Sequence, residues 1–233
     1  MKAVIDTGTM ITFSGTCLMN VFRSFVKHNN IELVVSNDVA HESVWRPIKN
    51  KRFALNAARI KYAFNEKIVR VVPSTPEGEK YEDKILHLAN HSFYTQSGPV
   101  TLLQRGEAEA LALAKIYEAK ALFIDERTTR SLIENPLRLK KVLEKRQAQE
   151  IRMNERNLAA FRDMFPDLKM FRSADVIALA FEQGLFNHEL SPTIVELEAA
   201  LWATKFSGCA VSEVEINEYV QKYKKKNLKG NKK

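Results

Sequence analysis

Acidic side chains recur at one kind of place in this chain. Asp6 ends the apolar run Lys2 to Asp6 (KAVID), Asp125 and Glu126 follow Ala121 to Ile124 (ALFI), and Asp175 comes shortly after Leu168 to Phe171. Each run reads as a short buried strand, so each acid stands where a strand gives way to a turn or helix. Glu42 lies one helical turn beyond another run, Ile31 to Val35 (IELVV), while Glu107 and Glu109 open the helix that precedes ALFI. In an open parallel sheet, ligands collect beyond the C-terminal ends of the strands, and these acids are placed to share such a cleft. Carboxylates a few Å apart repel by ~4 kcal/mol per pair at an intermediate effective dielectric, so a cluster of them calls for a cation. Hard oxygen ligands select Mg²⁺ or Mn²⁺.

Each acid also has a local reading. Glu107 and Glu109 fall in a first helical turn, where acids interact favourably with the helix dipole. Asp175 fits the first turn after a Ser173 cap, and Glu126 fits a solvated neighbour of Arg127. Asp6 resists such treatment, because a carboxylate at the end of a central buried strand costs several kcal/mol unless something satisfies it. Other chemistries find less support. No G-x-S-x-G elbow, Walker A loop or CxxC pair occurs. His87 and His91 have zinc-like spacing, yet lack the Glu of HExxH and an evident third ligand.

The elements that must position these acids alternate. Strand KAVID runs into Thr7, Gly8 and Thr9, then a helix over Leu18 to Lys27 precedes IELVV. Ser36, Asn37 and Asp38 offer caps for the helix carrying His41 and Glu42. After Pro47 a basic amphipathic helix covers Arg52 to Phe64, Ile68 to Val72 reads as a strand or extended segment closed by Pro73 and Pro76, and Glu79 to His91 reads as a helix. Strong helix formers fill GEAEALALAKIYEAK from Gly106 to Lys120. Pro136 to Phe161 reads as one long charged helical stretch, Leu168 to Phe171 as a fifth strand, and Ser173 as the cap of DVIALAFEQ, ended by Gly184. Thr193 to Thr204 and Val214 to Tyr223 read as terminal helices. Strands alternating with helices imply a parallel sheet covered on both faces.

Composition fits one domain. The chain has 233 residues, 45% hydrophobic and 27% charged, with eight Gly and seven Pro, which supports a core and excludes low complexity. No stretch approaches the ~20 apolar residues a bilayer crossing needs, and MKAVIDTGTMITF lacks a signal-peptide apolar region, so no membrane partner and a cytoplasmic location are expected. Cys17 and Cys209 are read as small apolar residues. The net charge of +8 is concentrated: Lys222 to Lys233 holds seven Lys and no acid, and Arg138 to Arg156 holds seven basic and three acidic residues. Such appendages suit a polyanion. A basic face with Arg52, Arg59 and Lys61, and a second group of Lys140, Lys141, Lys145 and Arg146, are candidates for gripping phosphates, against the alternative of solvated helix faces.

Four blocks resemble a known family in order and spacing: V-I-D-T-G at Val4 to Gly8, N-D-V-A-H-E at Asn37 to Glu42, G-E-A-E-A-L-A-L-A at Gly106 to Ala114, and L-F-I-D-E-R-T-T-R at Leu122 to Arg130. They are similar to the blocks of a PIN domain, in particular the prokaryotic PIN-like proteins with a GEAEA acid-bearing helix. The likeness continues through Ser173 to Phe186 and the terminal helices, and it leaves a helical insertion at about 134–166. The resemblance implies a single domain over 1–221 with a Lys-rich tail at 222–233, and a three-layer α/β/α fold with a central, mostly parallel sheet. It also implies a divalent-metal-dependent nuclease acting on single-stranded or structured RNA.

Carried over by position, the catalytic acids are Asp6, Glu42, Glu109 and Asp125, with the metal ion, Mg²⁺ or Mn²⁺, on Asp6, Glu109 and Asp125. Thr7, Glu107, Glu126 and Asp175 are auxiliary. Gly8 departs from the pattern, because Asn or Ser is common there and Gly supplies no side-chain hydrogen bond; Thr9 is a candidate to substitute. Water activated at the carboxylate cluster would attack the phosphodiester in line. The resemblance also raises a homodimer and leaves open an antitoxin-like protein inhibitor. The alternative is a non-catalytic nucleic-acid- or protein-binding module on the same fold, and metal-dependent cleavage separates the two. A phospho-ligand-binding protein is disfavoured, because an acidic cleft repels a phosphate that lacks its metal.

Overall fold

The computed structural model describes residues 1–188 and 190–230, with side chains described except at 187, 188 and 226–230. Strand β1 (Lys2–Ile5) leads into helices α1 (Thr7–Gly15) and α2 (Met19–His28), then β2 (Glu32–Ser36) and α3 (Asn37–Ala40). A π-helical turn at His41–Trp45 widens α3 and precedes α4 (Ala54–Asn65), β3 (Val69–Val72) and α5 (Pro76–Asn90). Two short strands, β4 (Phe93–Thr95) and β5 (Gly98–Pro99), are followed by α6 (Arg105–Ile116), β6 (Ala121–Phe123), α7 (Arg127–Glu134) and α8 (Pro136–Gln147). The chain continues through β7 (Arg152–Met153), α9 (Glu155–Arg162), β8 (Lys169–Phe171), α10 (Ser173–Glu182), α11 (Ile194–Phe206) and α12 (Glu213–Gly230).

The expected architecture is present. The order β3-β2-β1-β6-β8 forms a five-stranded sheet in which every pairing is parallel. Successive side chains of a strand point to opposite faces. Accordingly Ala3, Ile5, Leu33, Val35, Ala121 and Phe123 enter one core, beneath α1, α2, α10 and α11. Val4, Val34 and Leu122 enter the other, with residues of α5, α6, α8 and α9. Helices on both faces of the sheet give three layers. No helix among the described residues is long and apolar enough to cross a membrane.

Register positions the acids. Ile5 pairs with Phe123, and Phe123 pairs with Phe171, so the strands end level. Asp125 and Ser173 each stand two residues past a paired phenylalanine, and Asp6 N–H still joins the ladder through Phe123 O at 2.9 Å. The ends of three adjacent strands therefore open on one spot.

The insertion is not one long helix. Its chain turns at Ala148, which has φ 50°, and Ile151, fully buried, anchors a new direction. Strand β7 then pairs antiparallel with β4, and β4 with β5, in a second small sheet. Leu158 and Phe161 of α9 enter the same core as α5 and α6. Hydrophobic anchoring at Ile151, Leu158 and Phe161 overrides the charged helical pattern that the sequence suggests. The Cys expectation holds for Cys209, which is buried, and fails for Cys17, which is exposed at a left-handed turn with φ 62°. Residues 231–233 of the Lys-rich tail lie outside the described residues.

Candidate active site

Asp6 caps α1. Its carboxylate accepts from the Gly8 N–H at 3.0 Å, satisfying one of the free donors at the helix start. A Cβ on residue 8 would meet that same Asp6 oxygen at 3.0 Å, so the missing side chain at Gly8 makes room for the carboxylate. Glycine at position 8 thus has a local reason. Burial pushes the Asp6 carboxyl up to about 6; the Gly8 N–H lowers it, and the nearby carboxylates of Glu107 and Asp125 raise it. Thr9 does not take over the missing hydrogen bond, since its fully buried Oγ1 has no partner among the described residues.

Asp125 is held from three sides. It is 4% exposed, and its carboxylate accepts from Ser173 N–H at 2.7 Å, Ser173 Oγ at 2.7 Å and Thr12 Oγ1 at 2.8 Å. Three donors of this kind offset the cost of burying a charge. Ser173 therefore does not cap α10 as its sequence position suggests; Arg172 stands at the N-cap and Ser173 is spent on Asp125. Thr12 escapes sequence reasoning altogether, because a Thr in the middle of an apolar helix reads as core.

A cleft of about 720 Å³ is lined by Asp6, Thr7, Gly8, Glu42, Glu107, Asp125 and Glu126. Leu139, Val142 and Arg146 of α8 form one wall, and Arg127 stands at the start of α7. The segment expected as an insertion thereby lines the cleft, and Arg146 is the member of the predicted phosphate-gripping group that reaches it. Glu126 is occupied as the N-cap of α7, accepting from Thr128 N–H at 2.6 Å and Thr129 N–H at 2.7 Å. Glu107 likewise accepts from Gln104 N–H at 2.9 Å in a reciprocal cap, yet lies near enough to Asp6 to raise its pKa.

Glu109 faces elsewhere. It lines an adjoining cavity of about 440 Å³ with Asp38, Glu82 and Asp83, and only Glu42 is common to the acids of both hollows. Burial pushes the Glu109 carboxyl up to about 7; Ser36 lowers it, and Asp38, Glu82 and Glu42 raise it further. One of its oxygens is buried without a partner among the described residues. Two residues of helix turn the side chain by about 200°, so Glu107 and Glu109 cannot both face Asp6.

Asp175 is a structural acid. It accepts from Arg172 N–H at 2.8 Å and Nε at 3.1 Å, and from Tyr219 Oη, while Arg172 also reaches Glu215 at 2.8 Å and Ala210 O at 2.9 Å. Burial would raise the Asp175 carboxyl, but Arg172 and Tyr219 hold it below the usual carboxylate range. Of the basic residues, Arg59 donates to Ser14 O at 2.8 Å, Lys61 lies over the Trp45 ring at 5.3 Å and Arg52 over the Phe53 ring at 5.4 Å. Lys140 pairs with Glu144 at 3.5 Å, and Lys141 and Lys145 are exposed. The rings of His87 and His91 are 4.5 Å apart, and His91 Nδ1 is engaged with His87 O.

The donors available at the cleft are carboxylate oxygens, which suit a hard divalent cation in kind. Burial is the main cause of the raised Asp6 carboxyl and the carboxylates of Glu107 and Asp125 add to it, so a cation beside it would favour its ionised form. Among the described residues, however, no group of three or more His, Cys, Asp or Glu side chains stands together as a ready-made metal site. The chain matches no family model, no curated protein and no solved structure.

Proposed function

We propose that this protein is a divalent-metal-dependent ribonuclease of PIN-like type, with Asp6, Glu107 and Asp125 holding Mg²⁺ or Mn²⁺ and Glu42 at the cleft mouth. The observation that carries the reading is the meeting of Asp6 and Asp125 at level strand ends, with Glu107 raising the same carboxyl. When bound, the ion would lower the pKa of a water and shield the phosphodiester oxygens. The chain's own residues supply the rest. Ser173 and Thr12 fix the Asp125 carboxylate, and Gly8 N–H fixes Asp6. Arg127 and Arg146, exposed at the rim, attract the phosphate backbone towards a cleft whose acids alone would repel it. Glu42, also exposed, is free to accept a proton from a water at the mouth.

A second reading, a binding module without turnover, is favoured by the absence of a closed metal group among the described residues. One comparison decides. Pure protein is incubated with single-stranded and loop-containing RNA in Mn²⁺, Mg²⁺ or EDTA, beside its Asp6→Asn variant. Metal-dependent cleavage that falls by ~10²-fold or more in the variant, about 3 kcal/mol of transition-state stabilisation, supports the nuclease. RNA binding with no cleavage above the variant's background replaces it with the binding module.

A further inference from the structure

We infer that the surface around α4 is a docking track for single-stranded nucleic acid, in which exposed aromatic rings stack bases and flanking cations hold phosphates. The inference rests on the nuclease reading and adds the surface on which its substrate is held. Between Trp45 and Phe64 the chain carries six basic residues and no acid. On the same stretch Trp45 is 44% exposed, Phe53 45% and Tyr62 52%, which is unusual company for so much charge. Each ring has a cation over it: Lys61 on Trp45, Arg52 on Phe53 and Arg23 on Tyr62, at 5.1 to 5.4 Å.

A hollow of about 450 Å³ opens beside Tyr62, lined also by Arg23 and Arg59. Arg23 Nε is buried there with no hydrogen-bond partner among the described residues, a donor suited to a phosphate or a base edge. Alternating ring faces and cations is the chemistry by which proteins hold single strands without reading sequence, since every base offers a π-face and a duplex hides its bases. The link to the acidic cleft is one of chain order. Trp45 shares the π-helical turn with Glu42, which lines the acidic hollow.

The test uses the full chain carrying Asp6→Asn, in EDTA, with a labelled single-stranded oligouridylate and a duplex of equal length. Single-strand binding should be the tighter, and Trp45→Ala and Tyr62→Ala should each weaken it by about tenfold. Phe206→Ala, an aromatic 80% exposed on α11, should leave it unchanged. Changing Arg52 and Lys61 together to Gln should lower the slope of log K against log salt by about one. Equal binding by the aromatic variants, a preference for duplex, or competition by polyglutamate as strong as that by RNA would overturn the inference, the last in favour of an acidic protein partner. Because binding is read without turnover, a parent chain that binds through the rings but cleaves nothing defeats the nuclease alone. A parent that cleaves but ignores the ring changes defeats the track alone.

Discussion

Ser173 gives both its backbone N–H and its hydroxyl to the carboxylate of Asp125, each at 2.7 Å, across 48 positions of sequence. The two hydrogen bonds tie the start of α10 to the end of β6, and Thr12 ties α1 to the same carboxylate at 2.8 Å. One buried acid thereby joins three elements on one face of the sheet.

Ser173→Ala should leave Asp125 with two of its three donors. The fold should lose about 1 to 3 kcal/mol, as for a hydrogen bond to a charged group, and cleavage should fall by about tenfold. Urea unfolding and single-turnover cleavage check the two parts. Thr12→Ala should act in the same direction, whereas Thr9→Ala, which removes an unpartnered hydroxyl, should not reduce cleavage.

Gly8→Ala should separate stability from function. Position 8 is the second residue of α1, so the gain of Ala over Gly, about 1 kcal/mol at most, is offset by a weakened Asp6 cap and the melting temperature should change little. The new methyl, however, meets an Asp6 oxygen at 3.0 Å and must displace it. Metal-dependent stabilisation in a thermal-shift titration should weaken in parallel with cleavage.

Without divalent ions, stability should fall as pH rises through the window of the two raised acids. Asp6, moved from 3.8 to about 6, and Glu109, from 4.5 to about 7, hold protons in the folded chain that the unfolded chain has released. Folding at these two sites is therefore favoured at low pH, and that contribution is lost between about pH 4 and pH 7. Denaturant midpoints of the parent and of Asp6→Asn with Glu109→Gln, measured across this range in EDTA, should diverge, with the variant flatter. Saturating Mn²⁺ should reverse the parent's loss at the Asp6 cleft.

Asp175→Asn should cost stability rather than chemistry. Arg172 is 5% exposed on its side chain and keeps Glu215 as a second partner, so the loss should be about 3 kcal/mol, at the lower end for a broken buried ion pair. At a temperature where the variant is folded, its cleavage rate and metal dependence should match the parent's. A rate loss without a stability loss would return Asp175 to the site.

Much of this molecule follows from local rules. The runs at Lys2 to Asp6, Ile31 to Val35, Ile68 to Val72, Ala121 to Ile124 and Leu168 to Phe171 carry the five strands, because continuous apolar runs between helices suit a sheet buried on both faces. The places of Asp6 and Asp125, directly after β1 and β6, are likewise fixed by chain order and by the rule that parallel strands end together.

Tertiary structure decided what those rules leave free. Within GEAEA the sequence favours Glu109 and leaves Glu107 auxiliary, but the rotation of α6 as it packs on α5 and β1 turns Glu107 to the Asp6 cleft and Glu109 to the neighbouring hollow. Ser173 and Thr12 look like a cap and a core residue, and become partners of Asp125 only when three elements meet. Periodicity fixes which side chains share a face of one element, whereas the phase of that face against its neighbours is set by packing between residues far apart in the chain.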